Sequence, residues 1–173
     1  MSLRAETSLA RRVAIGALAG AAGTAAMDLL LYRRYRRDGG KETLWQWEFA
    51  DDVMSWDGAS APGRLGQKLE RFVTRRPPPD GWARTTTNVV HWATGIGWGA
   101  QYGALAHTTS RHPWIRALAL GPAAWLASYA ILPLAKVYKP IWDYDARTLG
   151  ADLSAHLVFG TATAAAYAAL LDT

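Results

Sequence analysis

Val13-Ala-Ile-Gly16-Ala-Leu-Ala-Gly20-Ala-Ala-Gly-Thr24-Ala-Ala-Met-Asp28-Leu-Leu-Leu-Tyr32 is a run of small and apolar side chains with a single charge, Asp28. A helix on the surface of a water-soluble bundle carries a polar face at the 3.6-residue period. This run has no such face, since residues 13–27 are uncharged on every side. Its length is close to the ~20 residues a helix needs to cross a bilayer core. Segments 88–107, 117–135 and 151–171 follow the same plan, and residues 117–135 and 157–171 are again uncharged all round. A soluble Ala-rich four-helix bundle accommodates one such helix at its centre, not three of four. The expectation is an all-α polytopic membrane protein, one membrane domain over residues 1–173, with four transmembrane helices at 13–32, 88–107, 117–135 and 151–171. The second carries His91, Gln101 and His107 and has the weakest insertion signal.

Composition agrees with this reading and removes other classes. Cysteine is absent, which excludes a disulfide scaffold, a thiolate zinc or iron–sulfur site and a cysteine nucleophile. Charged residues are 19% of the chain, with a net charge of +5, and most of them fall in residues 33–87. Mean hydropathy near zero is therefore an average over greasy spans and one basic connection. Tyr32, Tyr35, Trp45, Trp47, Trp82, Trp92, Trp114, Tyr138, Trp142 and Tyr144 collect near the span ends, as in an interfacial aromatic belt. No nucleic-acid motif accompanies the arginines, and membrane flanks account for them. The first run reads as a signal anchor, because no small-residue cleavage site precedes Tyr32-Arg33-Arg34. Lys and Arg number fourteen on the first and third connections against five on the other side. By the positive-inside rule residues 33–87 are cytoplasmic and both termini lie outside. Pro62 opens an amphipathic helix in that connection, with Leu65, Leu69, Phe72 and Val73 on one face and Arg64, Lys68, Arg71 and Arg75 on the others. Such a helix either lies on an anionic leaflet or covers the mouth of the bundle.

Two spans repeat. His91, Gly95, Ala100, Tyr102, Ala104 and Leu105 recur as His156, Gly160, Ala165, Tyr167, Ala169 and Leu170, all at an offset of 65. The first and third spans align more loosely through Arg11/Arg116, Gly16/Gly121 and Leu29/Leu134. Two pseudo-symmetric parallel helical hairpins follow, related by an axis along the membrane normal, as in other repeat-built membrane proteins. At 100° per residue the histidine, glycine and tyrosine of each repeat fall within about 40° of one another. His91 and His156 are then equivalent and face each other.

Small residues recur every four positions: Gly16, Gly20, Thr24, Asp28 in the first span, His91, Gly95, Gly99, Gly103 in the second, and Asp152, His156, Gly160 in the fourth. In lipid such stripes let backbones approach closely, so these glycines are the expected helix-packing faces. The stripes also carry Asp28, His91, Asp152 and His156 inward, and ionisable groups within spans are candidates for function. With Tyr102 and Tyr167 they form a candidate proton relay or ligand site. Histidine titrates near neutrality, and a carboxylate beside it raises that point. Asp152 and His156, at i and i+4, are neighbours. Alternatively Asp28 pairs with Arg33, and Asp152 caps the fourth helix. His91 and His156 are also candidate metal ligands. They fit either the axial positions of haem b, with Gly95 and Gly160 making room for the ring, or a divalent metal shared with Asp28 and Asp152. A membrane enzyme on a lipid substrate would use His156–Asp152 as a base, but no nucleophile or phosphate motif accompanies it, and a non-enzymatic role is favoured. A homo-oligomer or a membrane-complex partner packed through the glycine faces is the remaining reading.

The chain resembles the YagU-like family of small bacterial inner-membrane proteins. The likeness lies in Gly16-Ala-Leu-Ala-Gly20, the early histidine and later tyrosine of the second span, Pro133 followed by Tyr138-Lys-Pro140-Ile-Trp142, and Asp152 four residues before His156-Leu157-Val158. It covers the four spans and not residues 40–85. It implies an integral membrane protein linked to acid tolerance, with no catalytic residues to carry over.

Overall fold

A computed structural model of the chain describes residues 8–106 and 113–171. The described residues are helical and irregular, with no strand among them. Six α-helices follow in order: α1 Leu9–Arg37, α2 Leu44–Glu48, α3 Ala61–Thr74, α4 Ala83–Leu105, α5 Pro113–Leu134 and α6 Ala146–Leu171. Three of them are long and apolar enough to cross a membrane: α1, α5 from Ile115, and α6. The protein is thus a helical, membrane-type chain. α4 falls short in hydropathy rather than length, since its 23 residues span about 35 Å at 1.5 Å per residue.

The long helices start four to five residues before the expected spans, and local chemistry sets those starts. Ser8 caps α1, its hydroxyl accepting from Arg11 N. Asp145 caps α6, accepting from Thr148 N at 2.9 Å and Thr148 Oγ1 at 2.6 Å, so Asp152 lies inside the helix and does not cap it. At the other end of α1, Arg34 and Arg36 accept the returning N–H groups of Asp38 and Gly39. Gly39 adopts φ +98° there, a left-handed turn that costs glycine little.

α1 packs between α4 and α6, and α5 packs on α6. The α1–α4 pair is antiparallel and nearly bare of side chains. A Cβ on Gly16 or Gly20 would strike the backbone of Gly99, Gly103 or Gly95, and one on Gly95 would strike Thr24. The α5–α6 crossing repeats the device, with Gly121 against His156 and Gly160. On the third face Gly23 meets Phe159 and Thr163, while Ile15 and Ala19 pack on Tyr167. Arg34 ties α1 to α6 by donating to Ala151 O and Ser154 Oγ, both at 2.8 Å. Close backbone approach, rather than bulky interdigitation, is what these stripes provide.

The first connection folds back over one end of the bundle. Trp47 lies against Tyr32 and Tyr35 of α1, with ring centroids 5.6 and 6.1 Å away. Phe49 O accepts from Arg84 Nε and Asn88 Nδ2 of α4, both at 3.0 Å, and Arg84 pairs with Asp51. A small core of Val53, Trp56, Ala59 and Ala83 closes behind it, with Trp56 Nε1 donating to Pro78 O at 3.0 Å. α3 lies on α4 through its glycines, Gly63 against Thr87 and Gly66 against Thr86 and Val90.

Candidate cation site

One turn beyond the Thr24–Gly95 contact, the antiparallel stripes bring Asp28 of α1 to His91 of α4. His91 Nε2 and Asp28 Oδ2 are 2.8 Å apart, and Asp28 is only 3% exposed. Arg33 is not its partner: the side chain turns toward α4, where the neighbouring Thr24 stripe already holds the helices in contact.

A third ionisable group arrives from the connection. Thr43 and Gln46 form a reciprocal capping box around α2, which starts a helix too short to persist alone. Trp47 anchors that turn on α1 and Phe49 anchors it on α4, and Glu48 sits between the two anchors. One ligand atom from each of Asp28, Glu48 and His91 lies within 4.8 Å of the others. The Glu48 carboxyl is pushed up from 4.5 to about 7, first by burial and then by the Asp28 carboxylate beside it.

The second acid–histidine pair is on α6. His156 Nδ1 is 3.0 Å from Asp152 O and 3.5 Å from Asp152 Oδ1. A carbonyl only accepts, so Nδ1 carries a proton. Tyr129, Tyr138 and Tyr144 pack together beside this pair, with centroids 5.4 to 6.2 Å apart. Burial, followed by the Asp152 carboxylate, pushes the Tyr138 phenol up to about 12.

Both pairs open to one cavity of about 660 Å³, lined by α1, α4, α5, α6 and the connection. Among the described residues its walls hold the carboxylates Asp28, Glu42, Glu48, Asp52 and Asp152 and the imidazoles His91 and His156, and no Lys or Arg. In a chain with net charge +5, that segregation makes the cavity an electronegative pocket. The remaining wall is largely apolar and aromatic, with Trp47, Trp98, Tyr138 and Phe159 among its members.

Asp28, His91, Asp152 and His156 therefore meet in a single cavity. Tyr102 and Tyr167 do not line it. They stack edge to face on each other at 5.4 Å, and Tyr167 Oη donates to Gly103 O at 3.4 Å, so they join α4 to α6 as packing residues. The room that Gly95 and Gly160 leave is taken by Thr24 and by the α5 backbone, not by space for a haem ring. The end of the second expected span at His107, and His112 beyond it, lie outside the described residues. Glu48 is the member that reading the sequence misses. Its only signal is the Thr43-x-x-Gln46 capping box, which announces a helical turn but not what that turn faces. No protein family, no curated protein and no solved structure matches this chain.

Proposed function

We propose that this is a four-span integral membrane protein of a bacterial plasma membrane that binds cations, both protons and a divalent transition-metal ion, within its helical bundle. Asp28, Glu48 and His91 hold the metal. The observation that carries this reading is the cavity wall, which among the described residues holds five carboxylates and two imidazoles and no Lys or Arg. Carboxylates brought together in partly apolar surroundings have to be neutralised. Either protons or a divalent cation does so, and metal binding displaces the protons. One imidazole with two carboxylates suits Zn²⁺, Mn²⁺ or Fe²⁺ better than the all-oxygen sets of Ca²⁺ and Mg²⁺. Three protein ligands leave coordination positions open toward the cavity, and Asp152–His156 on the same cavity is a second acid–base pair to take up a displaced proton.

In this reading α4 is the fourth span. Its glycines pair with α1 and its His91 is held internally by Asp28, so little of its polarity reaches lipid. The two hairpins α1–α4 and α5–α6 are pseudo-repeats whose registers have slipped by a turn: the offsets equate Gly121–Gly160 with Gly16–Gly95, and Gly95 instead meets Gly20. Residues 33–87 are cytoplasmic by charge, and the resemblance of the spans to YagU-like proteins supports a kinship with that family.

The cavity volume favours one second reading, a lipophilic organic cation seated among the aromatic walls with Asp28 and Asp152 as counter-ions, since pockets of this size take drug-sized ligands. Calorimetric titration of chelator-treated protein in detergent separates the two. Zn²⁺ or Mn²⁺ binding at one ion per chain, with proton release and loss in Glu48→Gln and His91→Gln, supports the metal site. Binding of tetraphenylphosphonium without metal binding supports the organic cation, and binding of neither removes the proposal.

A further inference from the structure

The α3 surface is only half used. Gly63 and Gly66 face α4 and Leu65 lines the cavity, so the first two turns are covered. The apolar face then continues past the bundle with nothing on it: Leu69 is 54%, Phe72 83% and Val73 77% exposed. At 100° per residue, Leu65, Leu69, Phe72 and Val73 span about 100° of the helix, and Arg64, Lys68, Arg71 and Arg75 fall about 40–180° from them. Residues 61–76 hold five cations and one carboxylate, Glu70. The helix is docked at Thr86, Thr87 and Val90, near the start of α4 and the same end as the basic turn Arg34–Arg37 of α1.

We infer that the Leu69–Phe72–Val73 end of α3 is seated in the anionic cytoplasmic leaflet. The three side chains lie among the acyl chains, and Lys68, Arg71, Arg75 and Arg76 lie among headgroup phosphates. Three observations select lipid as the occupant. The exposed face is apolar at one edge and cationic at the other, the pattern that partitions into a charged interface. Each Lys or Arg near an anionic surface adds to the attraction. The face also adjoins helices that themselves read as spans, so a leaflet is at hand. A protein partner would leave the cations without a stated counter-charge. The inference rests on the membrane reading of the bundle but not on the cation site.

The absence of cysteine makes the test direct. Phe72→Cys, Leu126→Cys on the exposed side of α5 (Leu126 is 55% exposed) and Asp57→Cys on the connection each take one nitroxide label, and none of these side chains packs in the interior. The labelled full-length proteins are reconstituted in phosphatidylcholine vesicles with and without a quarter phosphatidylglycerol. Paramagnetic resonance then compares collision with oxygen, which concentrates in lipid, and with a water-soluble nickel complex. The expected result is that the Phe72 label in anionic vesicles favours oxygen several-fold, like Leu126 and unlike Asp57. The preference then falls at least twofold without phosphatidylglycerol, and in the Lys68→Gln/Arg71→Gln background. Water exposure at Phe72 with lipid exposure at Leu126 overturns this inference and leaves the membrane reading standing. Water exposure at both overturns the membrane reading itself. An unchanged Phe72 value without phosphatidylglycerol overturns the anionic leaflet as partner, and spin–spin broadening between Phe72 labels assigns the face to a second copy and overturns it as well.

Discussion

Glu48 is the residue on which the chemistry turns. Without it, Asp28 and His91 form a satisfied buried pair of a kind that needs no ligand. With it, a second carboxylate stands against the first. Replacing Glu48 by Gln keeps the shape and removes one charge and one metal oxygen, and we expect divalent-metal affinity to fall at least tenfold, read by titration calorimetry. His156→Gln, outside the three-ligand cluster, is expected to change that affinity less than threefold while reducing proton release. Glu48 also sets a pH dependence in the metal-free protein. Its folded pKa is raised from 4.5 to about 7, so its contribution to stability is fully present below pH 4.5 and is lost as pH rises through about 7, when a second negative charge forms beside Asp28. Thermal unfolding of chelator-treated protein between pH 5 and 8 is expected to show this decline in wild type and not in Glu48→Gln.

At the scale of elements the glycine stripes carry the argument. Gly99 has the Gly16 and Gly20 backbone against it, whereas Gly97, two residues earlier on the same helix, faces open space. Gly99→Ala should therefore force α1 and α4 apart and cost about 1–3 kcal/mol, as overpacking does. Gly97→Ala, which only adds helix propensity, should be neutral or slightly stabilising in the same melting experiment. These stripes are legible in the sequence because a four-residue period of small side chains has one physical use in lipid. The spans α1, α5 and α6 are legible for a related reason, their lack of any charged face. α4 is less so: its Thr, His and Gly lower its hydropathy, and only its partners compensate them. The Asp152–His156 pair is visible as an i,i+4 contact, and Asp28 and His91 are visible as inward residues. The bond between those two depends on the antiparallel register of α1 and α4, which no local pattern encodes. Glu48 depends on still more, the folding of an aperiodic connection onto two helices through Trp47 and Phe49.

At the scale of the whole molecule most Lys and Arg residues crowd the first connection, while the cavity wall holds carboxylates and, among the described residues, no Lys or Arg. That division gives a topology and a linkage. A cysteine in place of Ser8 should react with an impermeant maleimide in intact cells, and one in place of Asp57 only after permeabilisation, because the proposed topology keeps the basic connection on the cytoplasmic side. A cation bound to the folded state alone also stabilises it, by about 2.7 kcal/mol at a hundredfold excess over its dissociation constant. Added Zn²⁺ or Mn²⁺ should therefore raise the melting temperature of chelator-treated wild type, and chelator should reverse the rise.

The central claim is that an imidazole and two carboxylates inside the bundle hold one metal ion. X-ray absorption at the zinc edge of protein loaded with a single equivalent reads that ligand set directly. The account predicts nitrogen and oxygen neighbours with the scattering signature of one imidazole, lost in His91→Gln. An all-oxygen hydrated ion whose spectrum is the same in His91→Gln would contradict it.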